Sequence, residues 1–362
     1  FFYSIQLAEG GKNVSLQFII GSSGIGKTHY ACEQIIRESM ENPQHLYYII
    51  VPEQFTMQTQ KNVVEMHPGK GILNIDVLSF QRLAYRIFEE TGGAREVLLD
   101  DTGKSMVLQK LVQQHRKNLP YLGSQMNKPG YLDEVKSLIS EFMQYDIREE
   151  ELQDMLGKTG EDSLLHMKMQ DVGVLYQAFL QYLEGHYMTG EGVMDALKKA
   201  IPFSDKLKKS VLLLDGFTGF TPVQMNVIRE LLNVCDKVLV TVTMDAGENP
   251  LQLGKPHQLF YMSRKMIHTL SGLTSNLDDP VLLKDERKGR FGNSTSLDFL
   301  EKHLFRYRRS AYEKKQEEIC IFAAESPVKE LEETARRIRR LVREKNLKYG
   351  EIAVITGNLE AY

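Results

Sequence analysis

The stretch that decides the fold is FIIGSSGIGKTHYACEQIIRE, residues 18–38. It runs from an apolar, β-branched segment through a glycine-rich loop into a segment with apolar residues at helical spacing. The loop, GSSGIGKT, matches the pattern G-x-x-x-x-G-K-[ST], in which backbone N–H groups surround phosphate oxygens. A strand that enters such a loop and a helix that leaves it predict a nucleotide-binding α/β domain.

Each part of this loop has a predicted task. The glycines let the backbone curl around an anion, and the start of the following helix adds the positive end of its dipole. We expect Lys27 to neutralise the β- and γ-phosphates and the Thr28 hydroxyl to bind Mg²⁺. The alternative is a glycine-rich turn that binds no ligand. The predicted nucleotide-binding residues are Gly21, Ser22, Ser23, Gly24, Ile25, Gly26, Lys27 and Thr28.

A second acidic site is expected at the end of another strand, because hydrolysis needs a carboxylate for the metal and a base that orients water. Asp215 ends the apolar run VLLLD, and we expect it to hold Mg²⁺ through water. The next residue is Gly216, so no base stands where one is expected. The alternative for Asp215 is a turn or helix cap after a strand.

Apolar runs at 16–20, 46–51, 72–78, 211–215 and 237–244 alternate with helical stretches, which predicts a parallel α/β sheet. Segment 83–206 has apolar residues at helical spacing and little strand character, so it predicts a helical insertion. The predicted P-loop domain therefore consists of 14–82 and 207–317. Within it, the composition of 288–296 indicates an exposed loop.

Segment 318–362 predicts the start of a second α/β domain, with strands in 318–326 and 349–356 around an amphipathic helix. The arginines of that helix suit a solvated face, with a DNA contact as the alternative. Because the chain stops after the second of these strands, we expect a fragment of a longer protein. We expect residues 1–13 to be either an untranslated leader, with Val14 as a GTG start, or a short disordered tail.

The composition excludes several classes of protein. Lys and Arg number 45 against 48 Asp and Glu, so any DNA contact must come from a local surface. Cys32, Cys235 and Cys320 lie far apart without CxxC spacing, which argues against a disulfide framework or a thiolate metal site. No apolar run approaches the roughly 18 residues that a membrane span requires, so we expect a cytoplasmic protein with no membrane contact.

Five motifs, in their order along the chain, resemble the N-terminal part of the AddB family, the B subunits of bacterial AddAB ATP-dependent helicase/deoxyribonucleases. The resemblance runs from about Val14 to the last residue. The motifs are FIIGSSGIGKT, IIVPEQFTMQTQ, DVLSFQRLAYRIFEETGG, LLLDGFTGFTPVQMNVIRELL and ELEETARRIRRLVREKNLKYGEIAVIT.

The resemblance implies a RecA-like first domain of UvrD-like helicase architecture. Complexes of this family resect double-strand DNA ends for recombinational repair, with an AddA-type subunit as the motor. The family's nuclease domain and iron-sulfur cluster lie in a C-terminal part beyond Tyr362, so the cysteines of this chain are not the cluster ligands. ATP with Mg²⁺ is the implied ligand.

For the site, the resemblance places Gly21, Gly26, Lys27 and Thr28 on the phosphate loop and Asp215 on the metal-site aspartate. Related helicases have Asp-Glu where this chain has Asp-Gly, which implies that motor activity is weak or lost. In similar helicases the loops after the second and third strands touch single-stranded DNA, and the implied DNA partners of the protein are single- and double-stranded. The implied DNA contacts are Gln54, Thr56, Ser79, Phe80 and Arg82.

Other functions remain possible at this point. The loops after the second and third strands could be structural, with Phe80 in the core and Arg82 paired with Glu89 or Glu90. The favoured function is an ATP-binding, DNA-handling subunit of a helicase-nuclease complex. The alternatives are an active ATP-dependent helicase motor, a P-loop kinase for a small molecule, and a structural subunit with a vestigial loop.

Overall fold

The computed structural model describes residues 14–93, 96–125, 128, 130–160, 163–284, 289–306 and 310–359. The expected leader or tail, residues 1–13, therefore lies outside the described residues. The chain divides into two compact units, Phe1–Arg290 and Phe291–Tyr362, each of which is described by itself.

Eight β-strands occur among the described residues, and six of them form one sheet in the order β3-β2-β6-β7-β1-β8. All pairs in this sheet are parallel, which confirms the predicted parallel α/β fold class. The two-residue strand β8 was not predicted, because so short a run has no recognisable periodicity. The strands are β1 Ser15–Gly21, β2 Leu46–Ile50, β3 Ile75–Leu78, β4 Val97–Leu98, β5 Tyr187–Met188, β6 Ser210–Leu214, β7 Lys237–Thr243 and β8 Val281–Leu282.

Six of the thirteen described α-helices begin where a polar side chain accepts a backbone N–H, among them those capped by Ser79, Asp100, Ser163 and Ser326. The helices are α1 Lys27–Glu41, α2 Thr56–Met66, α3 Phe80–Thr91, α4 Asp101–His115, α5 Leu122–Gln125, α6 Tyr131–Gln144, α7 Glu149–Gly157, α8 Leu164–Leu183, α9 Gly192–Ala200, α10 Pro222–Val234, α11 Tyr261–Ser271, α12 Thr295–His303 and α13 Pro327–Glu344.

Helices cover both faces of the six-stranded sheet. On one face, α1 and α2 bury residues such as Ile35 and Val63 against the strands. On the other, α3, α9, α10 and α11 bury residues such as Leu83, Leu197 and Leu231. A sheet covered on both faces has apolar side chains in both directions, which explains why its strands are continuous apolar runs in the sequence.

The helices between 101 and 183 enclose a second apolar core, centred on residues such as Leu108 and Phe179. Strands β4 and β5 pair where the chain enters and leaves this helical body. Lys104 of α4 lies 3.0 Å from Glu191, just before α9, and both side chains are buried. The helices α3 and α9, although largely within the segment predicted as an insertion, pack in the core of the sheet.

The second unit contains α12 and α13, and α13 coincides with the predicted amphipathic helix. Among its described residues, no strand forms in 318–326 or 349–356, so those two predicted strands are wrong for this chain. A strand needs a hydrogen-bonded neighbour, and the apolar side chains here stay in solvent, with Ile321 93% and Ile355 94% exposed. The predicted domain boundaries stay predictions.

Candidate nucleotide-binding site

The carboxyl ends of β1, β7 and β6 lie side by side at one edge of the sheet. Parallel α/β proteins bind their ligands at this edge. A cavity of about 630 Å³ opens there, and α1, α2, the segment that follows β6 and the end of β7 line it. Most of the residues singled out from the sequence motif, including Lys27, Thr28 and Asp215, line this one cavity.

The loop between β1 and α1 needs glycine for two different reasons. Gly24 and Gly26 have φ of 77° and 100°, a backbone conformation that other residues rarely adopt. At Gly26 an added Cβ would meet nothing within 4 Å, so conformation alone requires glycine. At Gly21, in contrast, a Cβ would lie 2.7 Å from Cγ2 of Ile25, so close packing requires it.

The positive groups of the loop surround the space where an anion would fit. The Lys27 Nζ donates to the carbonyl oxygens of Gly21, at 3.0 Å, and Ser22, at 2.9 Å, so the ammonium curls over the loop. Helix α1 has Gly26 as its N-cap, and no side-chain oxygen caps its first turn. The first amide groups of a helix point out of its end, so this end can accept an anion.

Asp215 meets the start of α1 although 187 residues separate it from Thr28. The Thr28 hydroxyl lies 3.0 Å from both carboxylate oxygens of Asp215. Thr241 of β7 donates to Oδ1 of Asp215 at 2.6 Å. Within the described part of the chain, hydroxyl groups rather than backbone amides donate to this carboxylate, unlike in a helix or turn cap.

The surroundings of Asp215 suit a divalent cation. Its side chain is 5% exposed, and it forms no ion pair with the described residues. A buried carboxylate without a positive partner is costly, and Mg²⁺ prefers a carboxylate and a hydroxyl oxygen with water. The residues present, Asp215 and Thr28, therefore fit the expected metal.

The position after Asp215 carries no acid. Gly216 has a φ of 78°, so the backbone itself favours glycine there. Among the described residues that line the cavity, the other carboxylate is Glu65 of α2, which lies 3.8 Å from the Lys61 ammonium. In the part of the chain that the structure describes, a metal-type carboxylate is thus present without a second carboxylate next to it in the sequence.

Sequence reasoning missed several lining residues, of which Thr241 and Arg290 bond directly to predicted site residues. The signal for Thr241 was a hydroxyl residue inside the buried run KVLVTVTM. Arg290 had no signal, because its segment has the composition of an exposed loop. In the structure Arg290 lies against the glycine-rich loop, where its backbone N–H donates to the Gly24 carbonyl at 2.8 Å.

Cys32 lines the same cavity as Asp215. Burial and then the negative charge of Asp215 raise the pKa of the Cys32 thiol to about 12. The thiol is therefore neutral at physiological pH, and Cys32 acts as a small apolar side chain.

The predicted DNA contacts divide into exposed and buried residues. Gln54 is exposed in a short 3₁₀ turn, Glu53–Phe55. Arg82 is also exposed, and its Nε lies 3.1 Å from Glu53 rather than pairing with Glu89 or Glu90. These two side chains can therefore reach a ligand outside the protein.

The other three residues are used by contacts within the protein. Thr56 is buried and donates to the Glu53 carbonyl at 3.0 Å, and Ser79 is the N-cap that accepts the Arg82 backbone N–H. Phe80 is buried, with its ring centroid 5.6 Å from that of Phe217. The set as a whole stays a prediction, and its accessible part consists of Gln54 and Arg82.

Together the fold and the site define an α/β protein whose parallel sheet presents a glycine-rich loop, a lysine and a buried aspartate at one cavity. The sequence profile of the family described as "ADDB, N-terminal" matches residues 18–301. The chain belongs to this family, as its motifs predicted.

Named relatives match nearly the whole chain. It is 42% identical over 357 residues to the B subunit of the ATP-dependent helicase/deoxyribonuclease of Lachnoclostridium phytofermentans, covering 96% of this chain and 31% of that protein. The corresponding B subunits of Thermoanaerobacter sp. and Clostridium acetobutylicum are 31% and 32% identical over 353 residues, each covering 96% of this chain and 30% of the relative. The chain therefore spans about a third of the length of these relatives. Within the described residues, no helix combines the length and apolar character needed to cross a bilayer.

Proposed function

We propose that this chain is the ATP-binding, DNA-handling part of a helicase-nuclease subunit that acts in the resection of double-strand DNA ends for recombinational repair. Its cavity at β1, β6 and β7 holds ATP with Mg²⁺, and its own motor activity is weak or lost. A P-loop NTPase domain of RecA-like type is the fold that this function implies.

One observation carries the nucleotide proposal: Thr28 and Asp215, distant in sequence, meet at 3.0 Å in the cavity that Lys27 also lines. When bound, Mg²⁺ neutralises negative charge on the phosphates. The chain's own tasks are to hold that cation through Thr28 and Asp215 and to bind the phosphates through Lys27 and the amides of the loop.

The proposal of weak hydrolysis rests on Gly216. A base that orients water contributes typically about 10²- to 10⁴-fold to a hydrolytic rate. A site without such a base therefore cleaves bound ATP far more slowly than a motor does. Among the described lining residues, Glu65 is the sole carboxylate besides Asp215, and it lies 3.8 Å from Lys61. Bound ATP would then serve structure or regulation rather than movement.

The DNA and partner proposals come from the family. The relatives are named as the B subunit of an ATP-dependent helicase/deoxyribonuclease, which supports a complex with an AddA-type subunit that supplies the motor. Exposed Gln54 and Arg82 offer an amide and a guanidinium to a DNA backbone. An iron-sulfur cluster belongs to a part of such relatives outside this chain.

The test uses the full-length subunit without its partner. We expect Mg-ATP to bind, and Lys27→Ala to weaken binding by about 100-fold or more, since each tenfold is about 1.4 kcal/mol and charged hydrogen bonds contribute about 1.5–3 kcal/mol each. Arg37→Ala is the matched control, because Arg37 is an exposed cation of the same helix that does not line the cavity.

Single-stranded DNA is then added and ATP turnover is measured. We expect little stimulation above the Lys27→Ala background. Robust DNA-stimulated turnover that Lys27→Ala abolishes would establish the alternative, an active helicase motor. Absence of Mg-ATP binding in the unmodified protein would favour a structural subunit with a vestigial loop.

A further inference from the structure

Thr241 is a polar residue in an otherwise apolar layer. Its side chain is 4% exposed and lies in β7, where Leu239 faces the same core as Ile19 of β1 and Leu213 of β6. Burying a hydroxyl among apolar groups costs free energy unless the hydroxyl is hydrogen-bonded. A threonine here therefore needs a polar partner at the edge of the sheet.

The register of the sheet brings that partner to it. Leu214 is level with Val240, so the next residues of the two strands, Asp215 and Thr241, are neighbours. On its other side Thr241 is level with Ile19 of β1, the strand that leads into the glycine-rich loop. Thr241 thus stands between the strand of the phosphate loop and the strand of the metal-site aspartate.

Both hydrogen-bonding functions of the hydroxyl are used. The Thr241 Oγ1 donates to Oδ1 of Asp215 at 2.6 Å and accepts the Gly216 backbone N–H at 3.4 Å. Oδ2 of Asp215, within the described part of the chain, accepts only from Thr28. Both oxygens lie 3.0 Å from the Thr28 hydroxyl at the start of α1, and Oδ1 is in addition held by the sheet through Thr241.

We infer that Thr241 is a positioning residue that sets the orientation of the Asp215 carboxylate for the divalent cation that accompanies ATP. This inference rests on the proposed nucleotide function. Thr241 binds Oδ1 and the Gly216 amide, so the Asp215 carboxylate is already turned toward Thr28 and does not have to reorient when the cation arrives. Preorganisation of this kind increases the affinity for the cation, because less free energy is lost in ordering the carboxylate on binding.

Thr241→Val removes the hydroxyl and keeps nearly the same side-chain shape. We expect Thr241→Val to raise about tenfold the Mg²⁺ concentration required for half-maximal ATP binding. ATP binding in EDTA should stay unchanged, because the loop amides and Lys27 are intact. Thr241→Ser, which keeps the hydroxyl, should stay within about twofold of the unmodified protein. Thr269→Val is the control, since that hydroxyl donates to the Lys265 carbonyl within α11 and does not line the cavity.

A double-mutant cycle with Asp215→Asn separates positioning from general loss of structure. We expect Asp215→Asn alone and combined with Thr241→Val to show the same weakened Mg²⁺ dependence, because Thr241 acts through Asp215. If Thr241→Val fails to fold, Thr241→Ala provides the same measurement with a smaller side chain.

Three outcomes overturn the inference. Unchanged Mg²⁺ dependence in Thr241→Val would remove the positioning role while leaving the proposed nucleotide function intact. An equal loss of ATP binding in EDTA and in Mg²⁺ would assign Thr241 to structure alone. If ATP does not bind to the unmodified protein in either condition, the inference and the proposed function both fail.

Discussion

The carboxyl edge of the sheet has two halves that use polar residues differently. At the ends of β1, β6 and β7, which we call the cavity half, Lys27, Thr28, Asp215 and Thr241 converge on one cavity. At the ends of β2 and β3, the loop half, Thr56 and Ser79 bind backbone groups three residues away at the starts of α2 and α3. In the cavity half polar side chains bind one another around a cavity, whereas in the loop half they bind nearby backbone groups where helices begin.

This difference shows what separates a binding residue from a structural one of the same type. Thr28 and Thr56 both lie in the first turn of a helix. Thr28 donates to a buried carboxylate at the end of a strand, whereas Thr56 donates to the Glu53 carbonyl three residues earlier. A polar side chain that satisfies a local backbone group has little left for a ligand. Substitutions in the loop half should therefore change stability, and those in the cavity half should change ligand affinity.

The largest expected effect is on stability, from Phe80→Ala in the loop half. Phe80 is 5% exposed and packs against Phe217 and Phe220, so we expect the free energy of unfolding to fall by about 3–5 kcal/mol. Urea denaturation measures this change. Phe55→Ala is the control, because Phe55 is 49% exposed and should change stability by less than about 0.5 kcal/mol. If the Phe80→Ala protein has normal stability but binds single-stranded DNA poorly, Phe80 is a DNA contact and not a core residue.

Gly26→Ala should have the next largest effect, and it lies in the cavity half. The φ of 100° at Gly26 strains any other residue, at a cost of about 1–3 kcal/mol. Because the loop can relieve this strain by changing shape, we expect ATP affinity to fall by about tenfold or more. Calorimetric titration of ATP gives the affinity, and Gly247→Ala, at a glycine with negative φ and open space around it, is the control. Unchanged affinity would mean that the loop does not hold the phosphates.

Ser79→Ala should cost about 1 kcal/mol of stability, the usual value for loss of an N-cap. Its hydroxyl accepts the Arg82 backbone N–H at 3.3 Å at the start of α3. Thermal and urea unfolding measure the loss, and Ser79→Thr should restore most of it. DNA affinity should be unchanged at temperatures where the variant is folded, and a selective loss of DNA binding would contradict the structural role of Ser79.

Arg82→Ala should have the smallest effect on stability, below about 0.5 kcal/mol, because its ion pair with Glu53 is exposed to solvent. If Arg82 touches a phosphate, the variant should bind single-stranded DNA more weakly. The slope of log affinity against log salt concentration should then become shallower by about one. Fluorescence anisotropy at several salt concentrations measures this. Arg86→Ala is the control, since Arg86 of the same helix pairs with Asp76, and equal effects of both substitutions would argue against a specific contact.

The sequence predicted the cavity half better than the loop half. Lys27 and Thr28 belong to a contiguous pattern, and Asp215 ends a recognisable strand, so their meeting follows from the parallel sheet. Thr241 could not be predicted, because its role depends on the register between β6 and β7. Arg290 reaches the loop only because β8 pairs with β1, and two residues are too few to predict a strand.

In the loop half the sequence predicted the position of the residues but not their exposure. Ser79 and Phe80 follow a strand, where ligand loops lie, yet whether a side chain points outward depends on the helix that begins there. The strands predicted in 318–326 and 349–356 fail for a related reason. Their apolar pattern is correct, but pairing requires a neighbour that the pattern does not specify.

If the cavity half holds ATP and leaves it intact, the fate of one bound nucleotide will show it. The full-length subunit, free of its partner, is loaded with radiolabelled Mg-ATP, separated from free nucleotide and incubated with single-stranded DNA before the bound nucleotide is released and identified. We expect ATP to be recovered. Recovery of ADP, formed at a rate that Lys27→Ala abolishes, would contradict it.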